Sequence, residues 1–209
     1  MDFIESPTTT LIGFTRIYLA MFYTVVAVFY TVKIIATQKK QLVDLVHPGE
    51  RFCSTWWNHL TFRFFRASIW LICLTRVFFE GIDTYLVMFT PLQSFPIILL
   101  GLVLMTVGFG MTIVIHLSMG DKWRSGIDNT GPKQLITDGY FRRSRNPIFV
   151  CVAFSQLGFF LALPSLFTLI CLLIGVVMLH RQIIAEEQHL TNVFANEYKT
   201  YATDVRRWL

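Results

Sequence analysis

Two tracts without a single Asp, Glu, Lys, Arg or His, residues 84–115 and 146–179, restrict this chain more than any other feature. Each exceeds the ~20 residues that an α-helix needs to cross the hydrocarbon core of a bilayer. The composition agrees: 54% hydrophobic residues and a mean hydropathy of +0.55 stand above the roughly 45–50% apolar content of soluble domains. The expected fold is therefore all-α, a multi-pass transmembrane helical bundle.

A pass along the chain predicts about five helices. The first runs from about 10 to 36 and ends in Lys33, Lys39 and Lys40. Its start has Asp2 and Glu5 where a signal peptide would be basic, and no small-residue cleavage site follows, so this run is expected to stay as a helix. The second, about 56–79, is interrupted by Arg63, Arg66 and Arg76. A central arginine costs ~2.5–3.5 kcal/mol on insertion scales, so these side chains must turn inward or snorkel. Glu80 and Asp83 then mark a short acidic loop before a third helix at about 95–117. Within it Gly108-Phe109-Gly110 lacks the third glycine and the preceding strand of a nucleotide-binding loop, which leaves close helix packing as its reading.

The tract 147–179 is too long for one unkinked helix, and Pro164 sits near its middle in a position suited to opening a second one. It reads as a C-terminal helical hairpin whose arms, about 16 residues or ~24 Å each, return the chain to the membrane face it left. The polar stretches 118–147 and 180–209 thereby become neighbours. Residues 33–66 hold six Lys and Arg, residues 118–146 hold six more, and the Glu80 loop and Pro164 turn hold none. The positive-inside rule then predicts an N-terminus outside and a C-terminus in the cytoplasm, in the cell membrane for a bacterial protein. The net charge of +5 serves this orientation, not nucleic-acid binding. The cysteines form no CxxC and three of the four lie in apolar runs, so they read as small hydrophobes. The five histidines form no ligand cluster and no metal site is expected.

Chemistry must lie in the two polar stretches. Asn146 is a favoured N-cap and Pro147 a favoured first helical residue, so a helix should start there with its free N–H groups aimed at the polar face. With Arg142, Arg143 and Arg145 just before it, that start suits a carboxylate or phosphate, or else anchors the helix on acidic headgroups. Beyond the hairpin, Ile183, Glu187, Leu190, Phe194, Tyr198 and Tyr201 share one helical face, which puts a carboxylate within an apolar stripe. An ion pair between Glu186 or Glu187 and an arginine across the hairpin is the structural alternative. S-adenosylmethionine is compatible with the set, its carboxylate toward arginines and amides, its ribose and ammonium toward glutamates, its adenine toward apolar walls. A nucleotide or lipid headgroup would fit as well.

The run Gly120-Asp121-Lys122-Trp123-Arg124-Ser125-Gly126-Ile127-Asp128, then Leu135-Ile136-Thr137-Asp138-Gly139-Tyr140-Phe141-Arg142-Arg143-Ser144-Arg145-Asn146-Pro147-Ile148-Phe149, resembles the isoprenylcysteine carboxyl methyltransferase and phospholipid methyltransferase superfamily. The likeness continues with Glu186-Glu187-Gln188-His189-Leu190 and with Tyr198, Tyr201 and Val205-Arg206-Arg207-Trp208. It covers about the last 90 residues, the three transmembrane helices expected over 1–117 matching only in number, and it implies a methyltransferase-like region over 118–209 that ends in an amphipathic helix, with a cytoplasmic cofactor pocket. Leu135, Ile136, Gly139, Phe141, Arg145, Asn146, Pro147, Phe149, Glu186 and Glu187 would enclose S-adenosylmethionine. Arg181, Arg145 and Glu187 would take the catalytic positions, and Trp123, Arg124, Tyr198 and Tyr201 would face a lipidic or small hydrophobic acceptor that enters from the membrane.

Two positions depart from the pattern. Asn146 and Phe149 stand where better-known members have His and Tyr, which removes an imidazole and a phenol. Gln182 occupies the place of an arginine four residues before the first glutamate, and Arg181 is displaced by one residue, about 100° on a helix. The acceptor, an isoprenylcysteine-like carboxylate or a phospholipid amine, stays open. A sterol-reductase-like enzyme using NADPH and a non-enzymatic membrane component are the rival readings.

Overall fold

The computed structural model describes residues 7–41, 46–47, 51–122, 125–126, 132 and 134–209. Five long helices build it: α1 (Pro7–Gln41), α2 (Ser54–Phe78), α4 (Phe95–Met119), α5 (Pro147–Ala162) and α6 (Leu166–Asp204), with a single-turn α3 (Ile82–Tyr85) between the second and the fourth. Two short strands, β1 (Val46–His47) and β2 (Ser125–Gly126), pair in parallel. Helices α1, α4 and α6 are long and apolar enough to span a bilayer, and α5 is a shorter apolar helix. Helix α2 misses that description because Arg63, Arg66 and Arg76 interrupt its apolar sequence.

Contacts along the bundle show which ends meet. At one end, Arg16 of α1 and Arg76 of α2 both grip Asp83, Arg76 Nε at 2.6 Å and Arg16 Nη2 at 3.0 Å, and Arg16 also pairs with Glu80. Burial alone would push the Asp83 carboxyl up, but the two guanidinium groups outweigh it and hold the group below the usual carboxylate range. Arg76 is thus the arginine of α2 that turns inward, only 1% exposed. The α5–α6 turn lies at this same end, where Phe89 N–H donates to the Pro164 carbonyl at 2.8 Å and Leu166 N–H to the Val87 carbonyl at 3.0 Å. At the opposite end, Tyr30 of α1 meets His116 of α4 (Oη to Nδ1, 2.9 Å), and Arg181 of α6 donates to Ser54 Oγ of α2 at 2.8 Å. Successive long helices therefore alternate in direction, and the start of α1 and the end of α6 fall at opposite ends of the bundle.

Helices α4 and α5 make the closest contact, and glycine allows it. A Cβ at Gly101 would collide with the backbone of Leu161 and Ala162, and one at Gly108 would lie 2.7 Å from the Cys151 carbonyl. Close packing is thus the role of Gly108, whereas Gly110 faces open space. The core follows from this contact: Ile98, Leu102, Met105, Phe159, Ala162 and Leu163, closed from α1 and α2 by Leu19 and Cys73.

The hairpin differs from expectation in its turn. Pro164 does not open α6. Ser165 does, with its hydroxyl accepting from Thr168 N–H at 3.3 Å while the Thr168 hydroxyl accepts from Ser165 N–H at 3.2 Å, a reciprocal capping box. The proline ends the turn one residue earlier, where its ring cannot extend α5. Helix α6 then continues well past His180 for 39 residues in all, with one interruption at Ala195 (φ 40°, ψ −106°). At 1.5 Å per residue this is about 58 Å, roughly twice the hydrocarbon thickness. Its apolar part ends at Leu179, and Glu186 and Glu187 lie about two turns beyond.

Candidate functional site

The extended half of α6 packs over the chain that leads into α5. Leu135, Tyr198 and Tyr201 form a small buried cluster with Leu190, Phe194 and Val205 against it. The apolar stripe read from helical spacing is therefore a packing surface, and Tyr201 fixes its register by donating to the Phe141 carbonyl at 2.6 Å. The approach to α5 turns at Gly139, whose φ of +59° is costly for a side-chain-bearing residue. A short 3-10 turn over Gly139–Arg142 follows.

Glu187 sits at the centre of the polar contacts. Its buried carboxylate accepts from Arg207 Nη2 at 2.8 Å, from Arg207 Nε at 3.1 and 3.2 Å, and from Asn146 Nδ2 at 3.0 Å, with Arg145 Nη2 at 3.6 Å. The terminal segment is zipped down beside it. Arg145 N–H donates to the Arg206 carbonyl at 2.9 Å, and the Arg207 carbonyl accepts from Asn146 Nδ2 at 3.2 Å and from Ser144 Oγ at 3.4 Å. The hydrogen bonds that Arg207 donates to Glu187 stabilise its cation and raise its pKa.

Asn146 stands at the N-cap position of α5 with Pro147 at the first helical position. Its side chain does not cap, a correction to the sequence reading. Both amide hydrogens are donated, to Glu187 and to the Arg207 carbonyl, and these two bonds set the orientation of the amide, whose oxygen takes no N–H from the helix start. The ion pair across the hairpin is thus present, between Arg145 and Glu187 at 3.6 Å, and Arg207 from beyond α6 adds a second cation.

Glu186, the neighbouring carboxyl, points elsewhere. It accepts from Gln182 Nε2 at 2.9 Å, and burial pushes its pKa up to about 7 in spite of that hydrogen bond. Arg181 is not part of the cluster: it is exposed and bonded to Ser54 Oγ, while Gln182, one residue on, faces inward and is 6% exposed. Pro147 is buried, Ile136, Phe141 and Phe149 are half-buried, and Gly139 with Tyr140, Arg142 and Arg143 lines an open depression beside the cluster. Trp123 and Arg124 lie outside the described residues. Sequence reading missed Arg207 as the main partner of Glu187, although the Arg206-Arg207 pair was visible as basic residues that follow a carboxylate-bearing helix. Among the described residues no group of His, Cys, Asp and Glu could hold a metal ion.

The two stretches joined at Asn146 and Glu187 fall inside one family match. Residues 96–197, from the start of α4 to one turn beyond Phe194, match the phospholipid methyltransferase family. The match takes in just under half of the chain, and the matched segment is similar to this family of methyltransferases, in agreement with the resemblance read from the sequence. No curated protein and no solved structure matches the chain. The match takes in Arg145, Asn146, Glu186 and Glu187, whereas Tyr198, Tyr201 and Arg207 lie past its end.

Proposed function

We propose that the protein is a membrane methyltransferase that transfers a methyl group from S-adenosylmethionine to a lipidic acceptor at the cytoplasmic face, with a phospholipid amine as the favoured acceptor. The observation that carries this is the 3.0 Å bond between Asn146 Nδ2 and Glu187 Oε1. It ties the stretch before α5 to the stretch after the hairpin, the two motifs whose order defines the resemblance.

The residues present suit the donor. Arg145 Nε is buried without a hydrogen-bond partner, and Arg142 and Arg143 line the open depression next to it, so cationic donors are available for a carboxylate. Glu186 has an oxygen that takes no hydrogen bond from a described residue and would serve the ribose hydroxyls or the ammonium. When bound, the donor supplies an electrophilic methyl on a sulfonium. The chain's part is to orient the acceptor and exclude water, since a methyl transfer needs positioning and desolvation above all.

A phospholipid amine arrives as an ammonium and must lose a proton before its nitrogen can attack. Glu186, with a pKa near 7, is matched to that task at neutral pH. The family's printed description, phospholipid methyltransferase, supports the same acceptor class. On the positive-inside rule the end of the bundle with Arg142, Arg143 and Arg145 faces the cytoplasm. The test is incubation of the membrane-reconstituted protein with methyl-labelled S-adenosylmethionine and a total lipid extract. Label in an N-methylated phospholipid is the expected result. Label confined to the aqueous phase, with folded protein present, overturns the lipid acceptor.

A further inference from the structure

Helix α2 carries cations that the contacts around Glu187 do not use. His59, Arg63 and Arg66 recur at i, i+4 and i+7 and so lie along one face. Arg63 and Arg66 are exposed, both are within electrostatic reach of His59, and the buried Nε2 of His59 has no hydrogen-bond partner. Four other arginines of the bundle differ: Arg16 and Arg76 hold Asp83, and Arg145 and Arg207 hold Glu187. Among the described residues no carboxylate pairs with Arg63 or Arg66. Two guanidinium groups on the outer face of a membrane helix call for an anion from the surroundings.

The surrounding side chains say what kind. Trp56 and Trp57 stand about two turns before Arg63, and tryptophan collects at headgroup depth, so the Arg63 side chain extends toward that depth while Arg66, three residues further along α2, lines a crevice. Beside Arg66 a crevice opens between α2, α5 and α6, walled by Phe62, Phe65, Leu172 and Met178. At its floor Gln156 rests on Gly175, where a Cβ would lie 2.5 Å from the amide, and its Oε1 has no partner. A phosphate site thus adjoins an apolar slot.

We propose that this face of α2 binds an anionic glycerophospholipid of the bilayer, its phosphate held by Arg63 and Arg66 and one acyl chain laid in the crevice. This is a separate site from the one around Glu187. Ser54 is level with Arg181, and from there Arg63 lies along α2 in one direction and Glu186 along α6 in the other. They stand about 20 Å apart along the helix axes, beyond the reach of a single headgroup.

Native mass spectrometry of the purified protein with equal phosphatidylglycerol and phosphatidylcholine tests it without any methyl donor. The wild type is expected to retain phosphatidylglycerol by about tenfold over phosphatidylcholine, and R63Q/R66Q to retain both equally. Glycerol 3-phosphate in excess should not displace the lipid. Equal retention by the wild type, unchanged preference in the variant, full displacement by glycerol 3-phosphate, or a second protein copy in place of lipid each overturns the proposal. Should the variant fail to fold, wild-type protein decides alone: brominated phosphatidylglycerol must quench tryptophan fluorescence more than brominated phosphatidylcholine, and equal quenching overturns the site.

Discussion

Arg207 closes on Glu187 with three hydrogen bonds of 2.8 to 3.2 Å, although twenty residues separate the two along the chain. The contact pins the C-terminal segment over the start of α5 and leaves the carboxylate charge-balanced within the protein. Its removal has consequences for both stability and binding.

Replacing Glu187 with Ala leaves Arg145 and Arg207 facing each other without their shared anion. Glu187 is buried while Arg207 is partly open to solvent, so the expected cost is about 1–3 kcal/mol, below that of a fully buried pair. Thermal unfolding in detergent measures it. An unchanged midpoint would show that the cluster does not hold the segment.

Glu186 makes the pH dependence specific. Its folded pKa of about 7 lies above the ordinary carboxyl value, so its contribution to stability is present below that ordinary value and is lost as pH rises through about 7. Binding of a cationic ligand should run the opposite way and strengthen across the same interval. Isothermal titration at pH 6 and pH 8 checks this, and Glu186→Gln should flatten the difference. Equal affinities at both pH values would contradict the assignment.

Asp83 gives the acid limit. The Arg76 and Arg16 guanidinium groups hold its pKa below the ordinary value, so the clamp contributes fully above that value and is lost as pH falls through the depressed one. Asp83→Asn strands the buried Arg76 and is expected to destabilise by about 3–5 kcal/mol. Unfolding followed from pH 7 down to acid should show wild-type stability converging on that of the variant.

Gly101 and Gly108 set the α4–α5 distance, so Gly108→Leu should separate the helices and destabilise by about 1–3 kcal/mol, whereas Gly110→Leu, in open space, should change little. Paired melting curves suffice.

Much of this architecture was legible because it rests on one-dimensional signals. The charge-free tract with Pro164 at its centre gives the α5–α6 hairpin, and the glycines of α4 announce a tight contact. What escaped was decided by partners distant in sequence. The helical face from Ile183 to Tyr201 was legible too, but not its direct union with the second hairpin arm into the single helix α6. Asn146 has the residue type and place of a cap, but its amide is oriented by donation to a buried carboxylate on another helix and does not cap α5. The one-residue displacement of Arg181 from the expected clamp position, a rotation of about 100°, was legible in the sequence, but its partner Ser54, 127 residues away, was not.

The most direct test of the proposed donor site is calorimetric titration of the purified, folded protein with S-adenosylmethionine. Saturable binding in the low micromolar to submillimolar range, weakened at least about tenfold by Asn146→Ala and by Glu187→Ala, is the predicted result. Absence of binding to folded wild-type protein, or equal binding by both variants, would contradict it.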